Sequence, residues 1–135
     1  MTCARCVFLA IGLGLLVGCS SRTQVQEEPA YDLLQDVNNL LHSAAGATGR
    51  PPAKLADLER YPKMYPRAYD AIKSGEVVVQ WGGSPKGEGE VGKDESVLAY
   101  EKNVPTEGGY VLLSAGTVKK MSANEFAAAP KAGKK

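Results

Sequence analysis

The most reactive side chains in this sequence are those of three cysteines and a single histidine. Cys3 and Cys6 have the Cys-x-x-Cys spacing of a redox pair, and Cys19 follows them alone. A thiol at any of these positions has the chemistry for acylation, oxidation or metal binding. His42 has no partner nearby in the sequence, and a single histidine cannot form a zinc site by itself. We therefore interpret His42 as a structural residue in the last turn of a helix, where a cationic side chain is favourable.

An apolar run that precedes Cys19 determines how the cysteines are interpreted. It extends from Val7 to Val17 and follows the positive charge of Arg5. As a helix it would rise about 16 Å, roughly half the thickness of a bilayer's hydrocarbon core. This length is typical of a secretory signal peptide. The alternative, an uncleaved membrane anchor, would need a longer run.

The residues at the end of the run, Leu16-Val17-Gly18-Cys19, resemble the lipobox of bacterial lipoproteins. The resemblance implies cleavage between Gly18 and Cys19, diacylglycerol on the Cys19 thiol, and acylation of the new amino terminus. Cys19 is therefore the predicted lipidation site, and the membrane is its predicted partner. Cys3 and Cys6 would leave with the signal peptide, so their spacing is coincidental. The alternative is ordinary secretion with an incidental cysteine at position 19.

The sequence divides into four parts on this interpretation. Residues 1–18 form a lipoprotein signal peptide, and residues 19–29 form the lipidated cysteine with a polar, flexible tether. Residues 30–129 form a single domain, and residues 130–135 form a basic, disordered tail. The predicted location is the cell envelope, lipid-anchored and facing the periplasm. Ser20 and Ser21 after the cysteine resemble the outer-membrane address of some Gram-negative lipoproteins.

Charge gives no indication of a nucleic-acid partner. The whole chain has 16 Lys and Arg residues against 15 Asp and Glu. Arg5 is the only charged side chain of the predicted signal peptide, so the remaining chain is balanced. A balanced chain has no electrostatic bias toward nucleic acid or anionic surfaces.

Apolar spacing predicts an α+β fold in which a long N-terminal helix and short helices pack on a three- to four-stranded antiparallel meander. The long helix begins near Pro29 and ends at Gly46 and Gly49. Its predicted buried face consists of Leu33, Leu34, Val37, Leu40, Leu41 and Ala44. Two short helical pieces follow, over residues 51–58 and in the stretch before Gly75.

Four runs of β-branched, aromatic and aliphatic residues follow Gly75 and predict the strands. They cover residues 76–81, 96–101, 110–114 and 117–121. A capping box at Ser122 and Glu125, with Met121 and Phe126 as a hydrophobic staple, predicts a short last helix.

Two further segments have both a structural and a functional interpretation. Tyr61, Tyr65 and Tyr69 would form a carbohydrate or peptide platform if exposed, but tyrosines at helical spacing are more often packing residues. The glycine-rich connection 82–95 contains carboxylates that would suit calcium. Lysines offset them and EF-hand spacing is absent, so we favour a solvated loop.

The domain after Cys19 resembles the soluble part of pseudopilins and related prepilin-like proteins. The resemblance rests on a long helix, then Pro52-x-x-Leu55-x-x-Leu58, then Gly75-x-x-Val78-x-x-Trp81, then residues 97–118. In these families a histidine, nine residues and Asp-Gly precede a β-turn. Here Pro105 stands in place of the histidine, and Ala115 stands in place of the aspartate before Gly116. Any role of the histidine and the aspartate is therefore lost.

The sequence predicts a lipid-anchored, non-enzymatic envelope protein that acts as a structural or protein-interaction module, with no cofactor. No nucleophile elbow, His-Glu-x-x-His pair or carboxylate dyad appears in it. The first alternative is an accessory subunit of a type II secretion or pilus-like machine that docks through a pseudopilin-like domain. The second is a small-ligand or calcium-binding envelope domain.

Overall fold

The computed structural model describes residues 28–86 and 95–133 and confirms the α+β fold class. Its helices are α1 (Pro29–Thr48), α2 (Pro66–Ser74), α3 (Val104–Glu107) and α4 (Ala123–Ala128), with a 3-10 helix over Leu55–Leu58. Its strands are β1 (Val77–Val79), β2 (Val97–Glu101), β3 (Gly109–Leu113) and β4 (Val118–Met121).

The sheet is an antiparallel meander in which each strand pairs with the next one along the chain. Its spatial order within the described residues is β1-β2-β3-β4, as predicted. Val78 lies opposite Tyr100, Tyr100 lies opposite Val111, and Val111 lies opposite Lys119. The register shifts between Val97 and Ala99. This irregularity falls where β2 extends past the end of β1.

Helix α1 packs across one face of the sheet through the predicted apolar stripe, and all six stripe residues are buried. They share one cluster with residues from all four strands, including Val77, Leu98, Leu112 and Val118. Because a leucine stabilises a fold by about 1.5–3 kcal/mol when fully buried, this stripe fixes α1 on the sheet.

The opposite face of the sheet is also covered. Val97, Val111 and Leu113 point away from α1 and form a second buried cluster with Val104 of α3 and Phe126 of α4. The domain therefore has three layers, with the sheet in the middle. Apolar runs in β2 and β3 are typical of strands that are buried on both faces. The sequence predicted α4 but not the surface that it covers.

Gly46 lies inside α1, so the prediction that it helps to end the helix is wrong. A glycine in a helix is only mildly unfavourable, and the apolar stripe of α1 holds this turn against the sheet. The helix ends at Thr48, and Gly49 adopts a left-handed conformation with φ of 67°. Glycine is suited to this C-terminal capping position because it has no Cβ.

The predicted capping box at the start of α4 is confirmed. The Glu125 amide donates to Ser122 Oγ at 3.2 Å, and the Ser122 amide donates to Glu125 Oε2 at 2.7 Å. Met121 and Phe126, the predicted staple, share the second cluster. These contacts satisfy amide groups that the first turn of a helix otherwise leaves unpaired.

Acidification should destabilise the start of α4. Hydrogen bonds from the backbone and then the hydroxyl of Ser122 hold the pKa of Glu125 below its usual value. The carboxylate therefore stabilises the fold above its unfolded pKa, about pH 4.3, and this contribution disappears as pH falls through the folded pKa. Carbon-13 NMR titration of the Glu125 carboxyl should show the lowered pKa, and Ser122→Ala should raise it. A Glu125 pKa at or above the usual value would contradict the capping geometry.

The end of the described chain is ordered against the sheet, so the prediction of a disordered tail from residue 130 is wrong for residues 130–133. The Val97 amide donates to the Pro130 carbonyl, and the Ala132 amide donates to the Val97 carbonyl, both at 2.8 Å. Lys131 forms a parallel bridge with Val97. Residues 130–132, the C-terminal segment, thus pair with β2 where β1 has ended. Backbone groups make this pairing, so the polar side chains do not prevent it.

Lys131 links the C-terminal segment to α4 through hydrogen bonds and an aromatic contact. Its Nζ donates to the carbonyl of Phe126, donates to that of Ala129 at 2.7 Å, and lies 4.0 Å from the centre of the Phe126 ring. Burial lowers the pKa of this ammonium group. A cation is favourable at the C-terminal end of a helix, where carbonyls remain unpaired.

Candidate functional site

The predicted lipidation site, Cys19, lies outside the described residues, as do Cys3 and Cys6. Its lipidation stays a prediction from the sequence. The described chain starts at Glu28, immediately before α1. Within the described ranges, no helix has both the length and the apolar character needed to cross a bilayer.

His42 is half-buried and lies six residues before the end of α1 at Thr48, and not in its last turn as predicted. The helix continues to Thr48 because Gly46 does not stop it. The proposed interaction of His42 with the C-terminal end of the helix is therefore wrong, since that effect falls off within one turn. Among residues 28–86 and 95–133, no three His, Cys, Asp or Glu side chains are grouped to hold a metal ion.

The three tyrosines are packing residues, as the sequence favoured. Tyr61, Tyr65 and Tyr69 are half-buried and pack against the cluster under α1. The hydroxyls of Tyr65 and Ser43 lie 3.2 Å apart and form a hydrogen bond. These rings pack α2 and the segment before it against that cluster and do not form an exposed platform.

The glycine-rich connection is described only at its two ends. Its residues 87–94, with most of the carboxylates considered for calcium, lie outside the described residues. At its N-terminal end, Gly83 is buried and the Lys86 amide donates to the Ser114 carbonyl at 2.6 Å. Calcium binding by this connection remains a sequence-level alternative.

A groove that the sequence did not predict lies between the C-terminal end of α1 and residues 50–61. Its volume is about 790 Å³. Its wall residues include Arg50, Lys54, Asp57, Arg60 and Tyr61, and small residues such as Ala44 and Pro52 complete the lining. We call this feature the basic groove. The sequence did not indicate this groove because its three cations, Arg50, Lys54 and Arg60, are spread over eleven residues that also contain carboxylates.

Local hydrogen bonds shape the basic groove. Asp57 Oδ2 accepts from the Ala53 amide at 2.8 Å, and Thr48 Oγ1 donates to the Arg50 carbonyl at 2.9 Å. The Gly82 amide donates to the Pro52 carbonyl at 3.0 Å, which ties the groove to the chain after β1. The groove thus lies between α1 and residues 50–61, and these bonds hold that segment in place.

A second groove, of about 780 Å³, lies at the other end of α1. Its charged residues are Glu28, Arg67, Asp70 and Glu76, so carboxylates outnumber cations there. Glu28 also forms an exposed ion pair with Lys120, at 3.3 Å. Such a pair contributes little stability, about 0–1 kcal/mol. The two grooves therefore differ in charge as well as in position.

Comparison of the chain with protein-family models, curated proteins and solved structures finds no match.

Proposed function

We propose that this protein is a lipoprotein of the bacterial cell envelope, anchored through acyl chains on Cys19, whose domain acts as a structural or protein-interaction module. The observation that carries the proposal is the sequence Leu16-Val17-Gly18-Cys19 directly after the apolar run. Two or more acyl chains make membrane anchoring effectively stable, because each buried CH₂ contributes about 0.8 kcal/mol. The chain from Cys19 to Glu28 then links the anchor to α1.

The location that we propose is the periplasmic face of the outer membrane. Ser20 and Ser21 follow the cysteine without an acidic residue, which supports this location. The domain is proposed to be non-enzymatic because its sequence contains no nucleophile elbow, His-Glu-x-x-His pair or carboxylate dyad. Its function then depends on the surfaces that it presents to other envelope components.

Replacement of Cys19 tests the anchor. We expect Cys19→Ala to abolish acyl mass and to move the protein from the membrane fraction to the soluble fraction, or to leave an uncleaved precursor. Intact mass spectrometry of the membrane-extracted wild type should show a chain that begins at Cys19 and carries acyl groups. Cys6→Ala is the matched control, since Cys6 lies in the proposed signal peptide and its loss should change nothing.

An unlipidated wild-type chain would overturn the anchor proposal. So would a chain that remains in the membrane with residues 1–17 attached, because that result would identify an uncleaved helix as the anchor. Equal effects of Cys19→Ala and Cys6→Ala would indicate a general export defect and would also count against the lipobox.

A second candidate function is an accessory subunit of a type II secretion or pilus-like machine. The order of elements, a 20-residue helix followed by short helices and an antiparallel meander, favours this candidate. Pseudopilin subunits that co-purify with the protein from the same membrane extract would support it. In that case the anchored domain would dock on pseudopilins.

A further inference from the structure

We propose that the basic groove binds an extended acidic segment of a partner protein. The inference rests on the proposed function, because it names the chemistry of the partner that an anchored interaction module would bind. It follows from the charge, the lining and the position of the groove.

The charge of the groove favours a carboxylate ligand. Arg50, Lys54 and Arg60 are all exposed, and within the described residues none has a carboxylate oxygen within 4 Å. Asp57, the carboxylate of the wall, already accepts the Ala53 amide. The three cations thus give the groove a positive charge, and guanidinium groups bind carboxylates through two parallel hydrogen bonds.

The lining favours a peptide over a small inorganic anion. The lining also includes Ala44, Ala47, Pro51 and Pro52, whose short side chains leave room for a polypeptide backbone. The volume of about 790 Å³ lies within the range of ligand sites and far exceeds that of one phosphate. The half-buried Tyr61 adds an aromatic surface at the wall. An acidic segment with small apolar residues between its carboxylates would match both features.

The position favours a protein over lipid headgroups. The chain from Cys19 enters the domain at Glu28, before α1, and the basic groove lies at the other end of this 20-residue helix. A helix of this length spans about 30 Å. The acidic character of the groove beside Glu28 would oppose close contact with an anionic membrane, whereas the basic groove lies at the end away from the anchor.

Hydrogen bonds within the groove hold its walls in one arrangement. The bonds from Thr48 to Arg50, from Ala53 to Asp57 and from Gly82 to Pro52 hold its walls. A prearranged site orders fewer groups on binding, so more of the contact energy appears as affinity.

The test measures binding of a fluorescein-labelled peptide of alternating glutamate and alanine to the full lipidated protein in detergent, by fluorescence anisotropy. We expect saturable binding that weakens as salt rises, and no binding of the matched lysine-alanine peptide. Arg50→Glu with Arg60→Glu should weaken binding at least about ten-fold, because it reverses two of the three charges. Arg60→Glu alone should also weaken binding, and Arg67→Glu, an equal charge change in the other groove, is its matched control and should leave binding unchanged.

Each other outcome decides against the proposal. Equal losses in Arg67→Glu and the double variant would indicate nonspecific attraction. Binding that requires phosphatidylglycerol vesicles, with none to the acidic peptide, would assign the groove to a membrane. If the double variant unfolds, Arg50→Gln with Arg60→Gln takes its place, and undiminished binding by that variant overturns the proposal.

Failure of peptide binding can be distinguished from failure of the proposed lipid anchor. Cys19→Ala protein purified from the soluble fraction should bind the acidic peptide as tightly as the lipidated protein. Peptide binding by a chain that proves not to be lipidated would retain this inference and overturn the anchor. A lipidated chain that does not bind the peptide would overturn this inference alone.

Discussion

A chain that ends at Ala129 should be less stable than the full chain by about 2 kcal/mol in its free energy of unfolding. The deletion removes two backbone hydrogen bonds of Val97, and each such bond contributes about 0.5–1.5 kcal/mol net to stability. It also removes the Lys131 contacts at the end of α4. Ordering the segment costs conformational entropy, so the net loss is smaller than the sum of these contacts.

Urea unfolding followed by the fluorescence of Trp81, the single tryptophan, measures this loss. A chain that ends at Gly133 is the matched control and should keep the stability of the full chain, since it retains the C-terminal segment. Equal unfolding midpoints for the chains that end at Ala129 and at Gly133 would show that the segment contributes nothing to stability.

Gly83→Ala should destabilise the domain by about 2 kcal/mol, within the range of about 1–3 kcal/mol for overpacking a core. A Cβ at this position would lie 2.7 Å from the Ala132 Cβ and 2.9 Å from both the Gln80 carbonyl oxygen and Leu98 Cδ1. One of these contacts is to backbone, which cannot move aside as a side chain does. The added methyl group would therefore push the C-terminal segment and the end of β1 apart.

Gly46→Ala is the matched control for the same chemical change. A Cβ there meets no other atom within 4 Å, and alanine is more favourable than glycine in a helix by about 1 kcal/mol. We therefore expect Gly46→Ala to raise, and Gly83→Ala to lower, the free energy of unfolding measured in urea. A neutral Gly83→Ala would show that the packing around Gly83 is looser than the structure describes.

The parts of the fold that the sequence predicted are those with a local pattern. The stripe of α1 repeats with the period of a helix, the four strand runs are β-branched and aliphatic, and Ser122 with Glu125 forms a recognisable cap. Helix α3 was not predicted, because four residues with Pro105 among them give no period. Val104 is buried in the second cluster, so tertiary contact stabilises this turn.

The C-terminal segment and the basic groove were not predicted, for a different reason. The segment pairs through amides and carbonyls, which every residue has, so Lys131 and its neighbours give no side-chain pattern. The groove exists because α1 ends at Thr48 and the chain after Gly49 packs beside the end of the helix. Its three cations line one surface only in the folded chain. Lipidation of Cys19, by contrast, was predicted from the resemblance of residues 16–19 to a lipobox and stays a prediction.

The C-terminal segment also sets the order in which the domain can be completed. Val97 obtains its backbone partners from residues that follow all four strands and α4 in the chain. While the polypeptide is being synthesised, the sheet therefore lacks its last neighbour until residues 130–132 have emerged. The contact is distant along the chain, and such contacts slow folding because the intervening loop must first close. For the export that we propose, late completion of the native state would keep the chain extended for longer, as passage through a translocation channel requires.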